Sequence, residues 1–336
     1  MGGSTFGDIS NMSLFILGSN PRQGRLFFDL FESPPSPPLP PPSNPVLILG
    51  GGIFTKRTEV LDITGQECSV KIPKINRNVR GLGSANLQSV FDTLVLCNVK
   101  IDGPERMCMG AKKSSKSWVV LPPRLPPFRS EGASVVIDND IILIGDSIIR
   151  ISINKDNVFK GAAPPPPNDP EDFFGSGCAV YDEVNSKILY INKGMVFSLD
   201  RSLDMDWVLE SSSFFKRESV GCNILKVGGK RQLWVAGGQN KLDGFSENIV
   251  EVVDMEELSD EEPKVIEKMK LGHIRPGISQ VGEDVFVVGG VEKFRGGRFI
   301  EKWNGDFWEV SPLSCTKFGL QNNMNEVFLN RDFCDP

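Results

Sequence analysis

Six short apolar runs, each closed by a turn residue, recur along the chain: VLILGG (46–51), TLVLCN (93–98), IILIGD (141–146), KILYIN (187–192), LWVAGG (233–238) and VFVVGG (285–290). They end at Gly50, Asn98, Gly145, Asn192, Gly237 and Gly289, at successive separations of 48, 47, 47, 45 and 52 residues. A second set of apolar segments precedes them, reached through a basic residue and then a glycine. Examples are Arg80 in RGLGSANL, Arg129 in RSEGASVVI, Arg217 in RESVGCNIL and Arg275 in RPGISQV. A third set follows each run (EVLDI, RMCMG, IIRISI, MVFSLD, IVEVVD, RFIEKW), and a fourth carries tryptophan in SWVVLP (Trp118), DWVLES (Trp207) and FWEVSP (Trp308). These runs are short, rich in β-branched and aromatic residues, and bounded by turn formers, which is strand patterning. Four strands per unit and six units predict an all-β chain, a six-bladed β-propeller with four-stranded antiparallel blades around a central channel.

The stretch GGGIFTKRTEV (50–60) invites a phosphate-loop reading. It has neither a Lys-Ser or Lys-Thr at a helix start nor a G-x-G-x-x-G opening a helix, so its glycines turn the chain between strands.

Over residues 46–330 the pattern resembles the kelch-repeat propellers. The features that carry the likeness are the doublets Gly50–Gly51, Gly237–Gly238 and Gly289–Gly290, the fourth-strand tryptophans, and the basic residue leading to glycine before the first strand. Gly145 stands without its doublet partner, and aliphatic residues mostly replace the aromatic of the third strand. The resemblance implies a first strand nearest the channel, a fourth at the rim, and loops that hold a partner protein.

Full four-strand sets begin near residues 81, 131, 176, 220 and 276, whereas 46–72 lacks a first strand. The segment FGLQNNM (318–324) is expected to supply it, closing the ring between the two ends of the chain. SLFILGS (13–19), RLFFDLF (25–31) and NEVFLN (325–330) also read as strands, and the alternatives for them are a short seventh blade or padding of the closure. The expected organisation is an N-terminal segment (1–45), the propeller (46–330) and a short tail (331–336). SPPSPPLPPPSNP (33–45) reads as polyproline II, either a stiff spacer or a ligand for a Pro-recognition module. GAAPPPPNDP (161–170) reads as a long rim loop.

Composition narrows the chemistry. There is one histidine, His273, and there are two tyrosines, Tyr181 and Tyr190. Similarity to kelch-type copper oxidases would require two histidines and two tyrosines on the metal, and the single histidine falls short, while the Glu-Asp-His iron set of other kelch proteins fails because Met269 and Val265 stand at the required spacing before His273. No sialidase-type turn motif is present. The chain is expected to be non-enzymatic and to need no cofactor or metal, with His273 a hydrogen-bonded turn residue. The net charge of −6 and small, scattered basic patches (Lys112, Lys113 and Lys116; Arg295 and Arg298) argue against a nucleic-acid surface. No apolar stretch approaches the roughly 18–20 residues of a membrane span. The acidic EVVDMEELSDEEPK (251–264) reads as a solvated, mobile loop, with a docking site for a basic partner as the alternative.

None of the seven cysteines forms a C-x-x-C pair. Cys97 and Cys108 sit on the second and third strands of one blade and form a candidate disulfide, a pairing similar to that of invertebrate kelch proteins that look secreted. Cys178 and Cys222 occupy equivalent first-strand positions and are expected to be packed thiols. Without a signal-like start the cytosol is expected, and a secreted protein is the alternative.

The functional expectation is a non-catalytic, monomeric protein-interaction scaffold, an adaptor or cytoskeletal binder. Arg80, Arg129, Arg217 and Arg275 are candidate binding-face residues, each with a structural alternative of bonding carbonyls in a neighbouring blade. The 45 residues before the propeller hold no BTB or F-box module. A receptor or enzyme that binds a small molecule or glycan in its channel is the competing reading.

Overall fold

A computed structural model describes residues 45–49, 58–62, 79–80, 86–90, 93–101, 106–112, 115–121, 133–138, 140–145, 147–152, 157–160, 166, 177–240, 246–292, 295–296, 300–310 and 325–328. Gly50, Gly51, Arg129, nearly all of the Pro-rich segment and residues 318–324 lie outside them, as does the side chain of Arg80.

In chain order the strands are β1 (Pro45–Leu49), β2 (Thr58–Asp62), β3 (Val79–Arg80), β4 (Asn86–Val90), β5 (Thr93–Ile101), β6 (Arg106–Lys112) and β7 (Val119–Leu121). They continue with β8 (Ala133–Ile137), β9 (Asp140–Ile144), β10 (Ile148–Ser152), β11 (Asn157–Lys160), β12 (Cys178–Asp182), β13 (Lys187–Asn192), β14 (Met195–Asp200) and β15 (Val208–Ser211). The remainder are β16 (Gly221–Val227), β17 (Lys230–Ala236), β18 (Val250–Asp254), β19 (Lys264–Val265), β20 (Gly277–Val281), β21 (Asp284–Val288), β22 (Val291–Glu292), β23 (Arg295–Gly296), β24 (Ile300–Trp303), β25 (Trp308–Val310) and β26 (Asn325–Phe328).

These strands build an antiparallel all-β propeller. Five sheets hold three or four strands: β2-β1-β26, β11-β10-β9-β8, β12-β13-β14-β15, β16-β17-β18-β19 and β20-β21-β24-β25. Six uniform four-stranded blades, or seven, are therefore not what the sheets give. The region of β3–β7 departs most, forming a five-stranded sheet in which β3 and β4 lie end to end along one edge of the nine-residue β5. A two-stranded hairpin, β22-β23, stands apart.

The two ends of the chain share a sheet, but the closing strand is Asn325–Phe328 rather than 318–324. Its register sets Val327 opposite Leu47 and Phe328 opposite Val46. FGLQNNM carries Gln and two Asn at its centre and suits a ladder less well. Innermost strands touch in sequence: β4 with β8, β8 with β12, β12 with β16, β16 with β20, and β26 with both β20 and β4.

The core lies between sheets, which explains the unbroken apolar runs. Along β13, Ile188 and Tyr190 pack with Ile142, Ile144 and Ile148 of the preceding sheet. Leu189 and Ile191 point the other way, onto Ile224, Leu233 and Val235 of the following one. Alternate side chains thus bury against different neighbours, so the period-2 pattern carries no polar phase. Trp308, fully buried, stacks obliquely on Trp303 at 5.4 Å and donates its indole N–H to Glu267 O at 2.9 Å, tying its blade to the one before. Trp207 packs against Tyr190 at 5.9 Å, and Trp118 is likewise buried, each one residue before its strand. Burial raises the Tyr190 phenol far above its ordinary value, against a lowering hydrogen bond with the Gly177 backbone.

The glycine doublets serve two needs. Gly237 and Gly238 have φ of +65° and +98°, and Gly289 and Gly290 +68° and +80°. A Cβ on Gly237 would lie 2.3 Å from His273 O, in the loop leading into the next blade, and one on Gly290 would lie 2.7 Å from Ile274 O. Gly145 turns instead through its N–H to Ser147 O at 3.2 Å.

Candidate binding face

Five connections meet at one end of the blades: the β13–β14 turn, residues 212–220 between β15 and β16, the Gly237–Gly238 turn, residues 246–249, and residues 271–276 leading into β20. Along 214–217 the two outer side chains turn inward and the two middle ones outward. Phe214 is buried, Phe215 is 55% exposed, Lys216 is exposed and Arg217 is buried at 3%. Main-chain bonds fix this loop: Phe214 N to Gly194 O at 3.2 Å, Glu218 N to Gln239 O at 3.0 Å and Gln239 N to Glu218 O at 2.8 Å.

A buried ion pair holds the loop from below. Arg217 Nη2 donates to Glu251 Oε2 at 2.6 Å, with both side chains only 2% exposed. The guanidinium also donates to Val235 O at 3.1 Å and Ile249 O at 3.0 Å, and Glu251 Oε1 accepts the Phe215 N–H at 2.9 Å. Burial pushes the Arg217 guanidinium below its ordinary value and Glu251 above its own, while the attraction between them opposes both shifts. The pair is expensive to bury alone and worth keeping together.

The next blade repeats the device with different chemistry. His273, 1% exposed, lies with Nδ1 2.6 Å from Gly289 O and Nε2 2.9 Å from Glu301 Oε1. A carbonyl only accepts, so Nδ1 is the donor. Glu301 also accepts the N–H groups of Lys270 at 2.7 Å and Leu271 at 3.0 Å. His273 is thus a structural residue with both ring nitrogens engaged.

Arg217 and Arg275, the two candidate arginines whose side chains are described, play different parts. Arg217 is sequestered, and its carbonyl partners belong to its own blade rather than to a neighbour. Arg275 is half-buried at φ +58°, with Nε 3.4 Å from Ser219 Oγ and its N–H 2.7 Å from Ser219 O. Arg80 is placed by its backbone at the end of β3, and Arg129 lies outside the described residues. The sequence reading missed Glu251, Glu301 and the outward Phe215. A carboxylate inside an apolar third strand (IVEVV, FIEKW) was the available signal for the first two.

The acidic stretch is better ordered than a solvated run suggests. Met255 and Leu258 are buried in the core, and backbone bonds join Glu257 N to Asp254 O at 3.0 Å and Glu261 N to Glu257 O at 2.9 Å. Like charge from Glu261 raises Glu257 above its ordinary value. Among the described residues no group of three or more His, Cys, Asp or Glu is placed to hold a metal ion.

Among the described residues two disulfides are present. Cys97–Cys108 joins β5 and β6 with Cα atoms 4.0 Å apart, the pairing its strand positions suggested. Cys178–Cys222 joins β12 and β16 at 5.9 Å, so these two are not the packed thiols expected. Equivalent positions on neighbouring inner strands face each other across the seam, within disulfide reach.

No family model matches the chain, and no curated protein matches it. Among solved structures it is similar to YjhT, with a TM-score of 0.51 and 12% identity over 67% of this chain and 82% of that one. At such identity the likeness speaks to the β-propeller fold alone.

Proposed function

We propose that this chain is a non-catalytic protein-interaction scaffold of the kelch type that holds a partner protein on the face formed by residues 193–194, 212–219, 237–240 and 246–248. The observation that carries the reading is Phe215: its N–H is held by the buried Glu251 while its side chain stays 55% exposed. A rigid backbone presenting an aromatic side chain loses little entropy on binding, and buried aromatics dominate interface energetics. Lys216 is exposed beside it, and Lys193 and Glu218 form a half-buried pair at 3.8 Å nearby. The kelch assignment rests on the glycine doublets packed beneath the next blade's loop and on the rim tryptophans. The sole histidine is committed to Gly289 and Glu301, which weighs against His-based catalysis. Two disulfides weigh toward the secreted alternative over the cytosol, where thiols are kept reduced.

The test is affinity capture from native extract with the wild-type chain and with Phe215→Ala. A stoichiometric protein partner bound about 30-fold more weakly by the variant supports this face. A partner held equally by both moves the site elsewhere. No partner for the folded wild-type protein overturns the scaffold reading.

A further inference from the structure

We propose that Cys178–Cys222 is a thiol–disulfide exchange site, a reversible strap across one blade seam, while Cys97–Cys108 is a closed structural bond. The two disulfides differ in what they join. Cys97–Cys108 lies within one sheet, across a pair of strands already laddered by hydrogen bonds. Cys178 is the first residue of β12 and Cys222 the second of β16, innermost strands of different sheets that share no ladder.

They also differ in access. Cys97 and Cys108 are 0% and 2% exposed, inside a cluster with Val95, Val136, Ile141 and Leu143. Cys178 is only half-buried, at a strand end, and Cys222 is 8% exposed. Exchange requires a thiolate to reach a disulfide sulfur, so access sets which bond reacts. The incoming thiolate attacks Cys178 Sγ and forms a mixed disulfide there. The Sγ–Sγ bond breaks and Cys222 leaves as a thiolate. A second thiol then attacks the mixed disulfide and releases Cys178. The two cysteines gain two electrons and two protons, and the reducing thiols become a disulfide.

The seam is arranged to survive this opening. At the far end of β12, Asp182 pairs with Arg231 of the following blade, a contact independent of the disulfide. Between the two ends, Val180, Leu189, Ile191 and Val196 pack against Val220, Ile224, Leu233 and Val235. Reduction therefore loosens the start of β12 and of β16 and leaves the sheets in place. Residues 212–220 lead directly into that end of β16, so exchange also loosens the point where the loop carrying Phe215 joins its strand, while the Arg217–Glu251 latch stays closed; this last step alone rests on the proposed binding face.

The experiment uses the oxidised full-length chain under native conditions. It is exposed to dithiothreitol for timed intervals, trapped with an alkylating agent, and mapped residue by residue so that Cys68, Cys315 and Cys334 are read separately. Labelling of Cys178 and Cys222 at least about tenfold faster than Cys97 and Cys108, with unchanged far-UV circular dichroism, is the expected result. Amide exchange should quicken at 178–182 and 221–227 and not along β5 and β6. A Cys178→Ser/Cys222→Ser variant should fold and show the same quickening while oxidised. Equal rates at the two bonds, labelling of Cys178 only as the fold is lost, absence of the bond from the oxidised protein, or a double variant that does not fold would each overturn the proposal. All of these readouts are independent of any partner.

Discussion

Replacing Arg217 and Glu251 singly and together tests whether the loop latch is one unit. Each single change, Arg217→Met or Glu251→Leu, strands a charged group that is about 2% exposed. Breaking a buried pair from one side costs about 3–5 kcal/mol. In Arg217→Met the carboxylate keeps only the Phe215 N–H, and in Glu251→Leu the guanidinium keeps two carbonyls, Val235 O and Ile249 O, and the attraction of Glu247. The double variant buries no charge. It leaves the Phe215 N–H without its acceptor and forfeits the guanidinium bonds, a cost of about 1–3 kcal/mol. Independent effects would sum to about 6–10 kcal/mol, so the coupling should be at least about 3 kcal/mol. Urea unfolding read by both tryptophan fluorescence and far-UV circular dichroism gives the four stabilities, provided the two probes coincide. A coupling below about 0.5 kcal/mol would show the groups act separately and refute the latch.

Two further changes probe the seams and the rim. Gly237 and Gly228 have similar φ, +65° and +58°, but a Cβ at Gly237 would meet His273 O at 2.3 Å whereas one at Gly228 meets nothing within 4 Å. Gly228→Ala should therefore cost about 1–2 kcal/mol of left-handed strain, and Gly237→Ala more by at least about 1 kcal/mol, read as the difference between their urea midpoints; equal losses would remove the blade-to-blade contact as the reason for the doublet. On β15, burial works to raise Glu210, but hydrogen bonds from Lys187 at 2.8 Å and Ser198 at 2.5 Å outweigh it and hold the carboxyl below its ordinary 4.5. A depressed folded value contributes stability above the unfolded one and loses it as pH falls through the folded one, so amide exchange at 208–211 should quicken below about pH 4 and not between pH 5 and 7; Glu210→Gln should abolish that step.

Much of the fold was legible because a propeller strand buries both faces. IILI (141–144) and VFVV (285–288) are unbroken apolar runs, and the turn after each run recurs at a near-constant period. Three features resisted. The β3–β7 sheet splits its first-strand position in two because β5 extends past Cys97, with a register shift between Leu96 and Val99, and an apolar-polar string does not show where a ladder slips. The closing strand was taken as 318–324 rather than Asn325–Phe328 because both segments follow the last rim strand and only pairing decides between them. Cys178 and Cys222 were read as core positions, and Cys222 is one while Cys178 is half-buried at the cluster's edge. What the sequence lacked was the fact that their two strands face each other across one seam.

The arginine pattern hid a different register. Arg217 and Arg275 were matched because each precedes a first-strand glycine, yet Arg217 stands four residues before Gly221 and Arg275 only two before Gly277. At four residues stands His273. Arg275 corresponds instead to Ser219, and both adopt φ +58°. The carboxylates keep the same register: Glu251 opposite Val235 and Glu301 opposite Val287, each two residues before the first glycine of its doublet. Glu59 stands opposite Ile48, two residues before Gly50, in the sheet that closes the ring. In the two blades built on Glu251 and Glu301 the repeated element is therefore a buried acid on the third strand that captures backbone N–H groups of the incoming loop and lies against a basic side chain of that loop, Arg217 in one blade and His273 in the next. A loop held by its backbone places few demands on the side chains it turns outward. Phe215 and Lys216 ride on such a backbone, so the side chains turned outward can differ from blade to blade while loop geometry stays fixed.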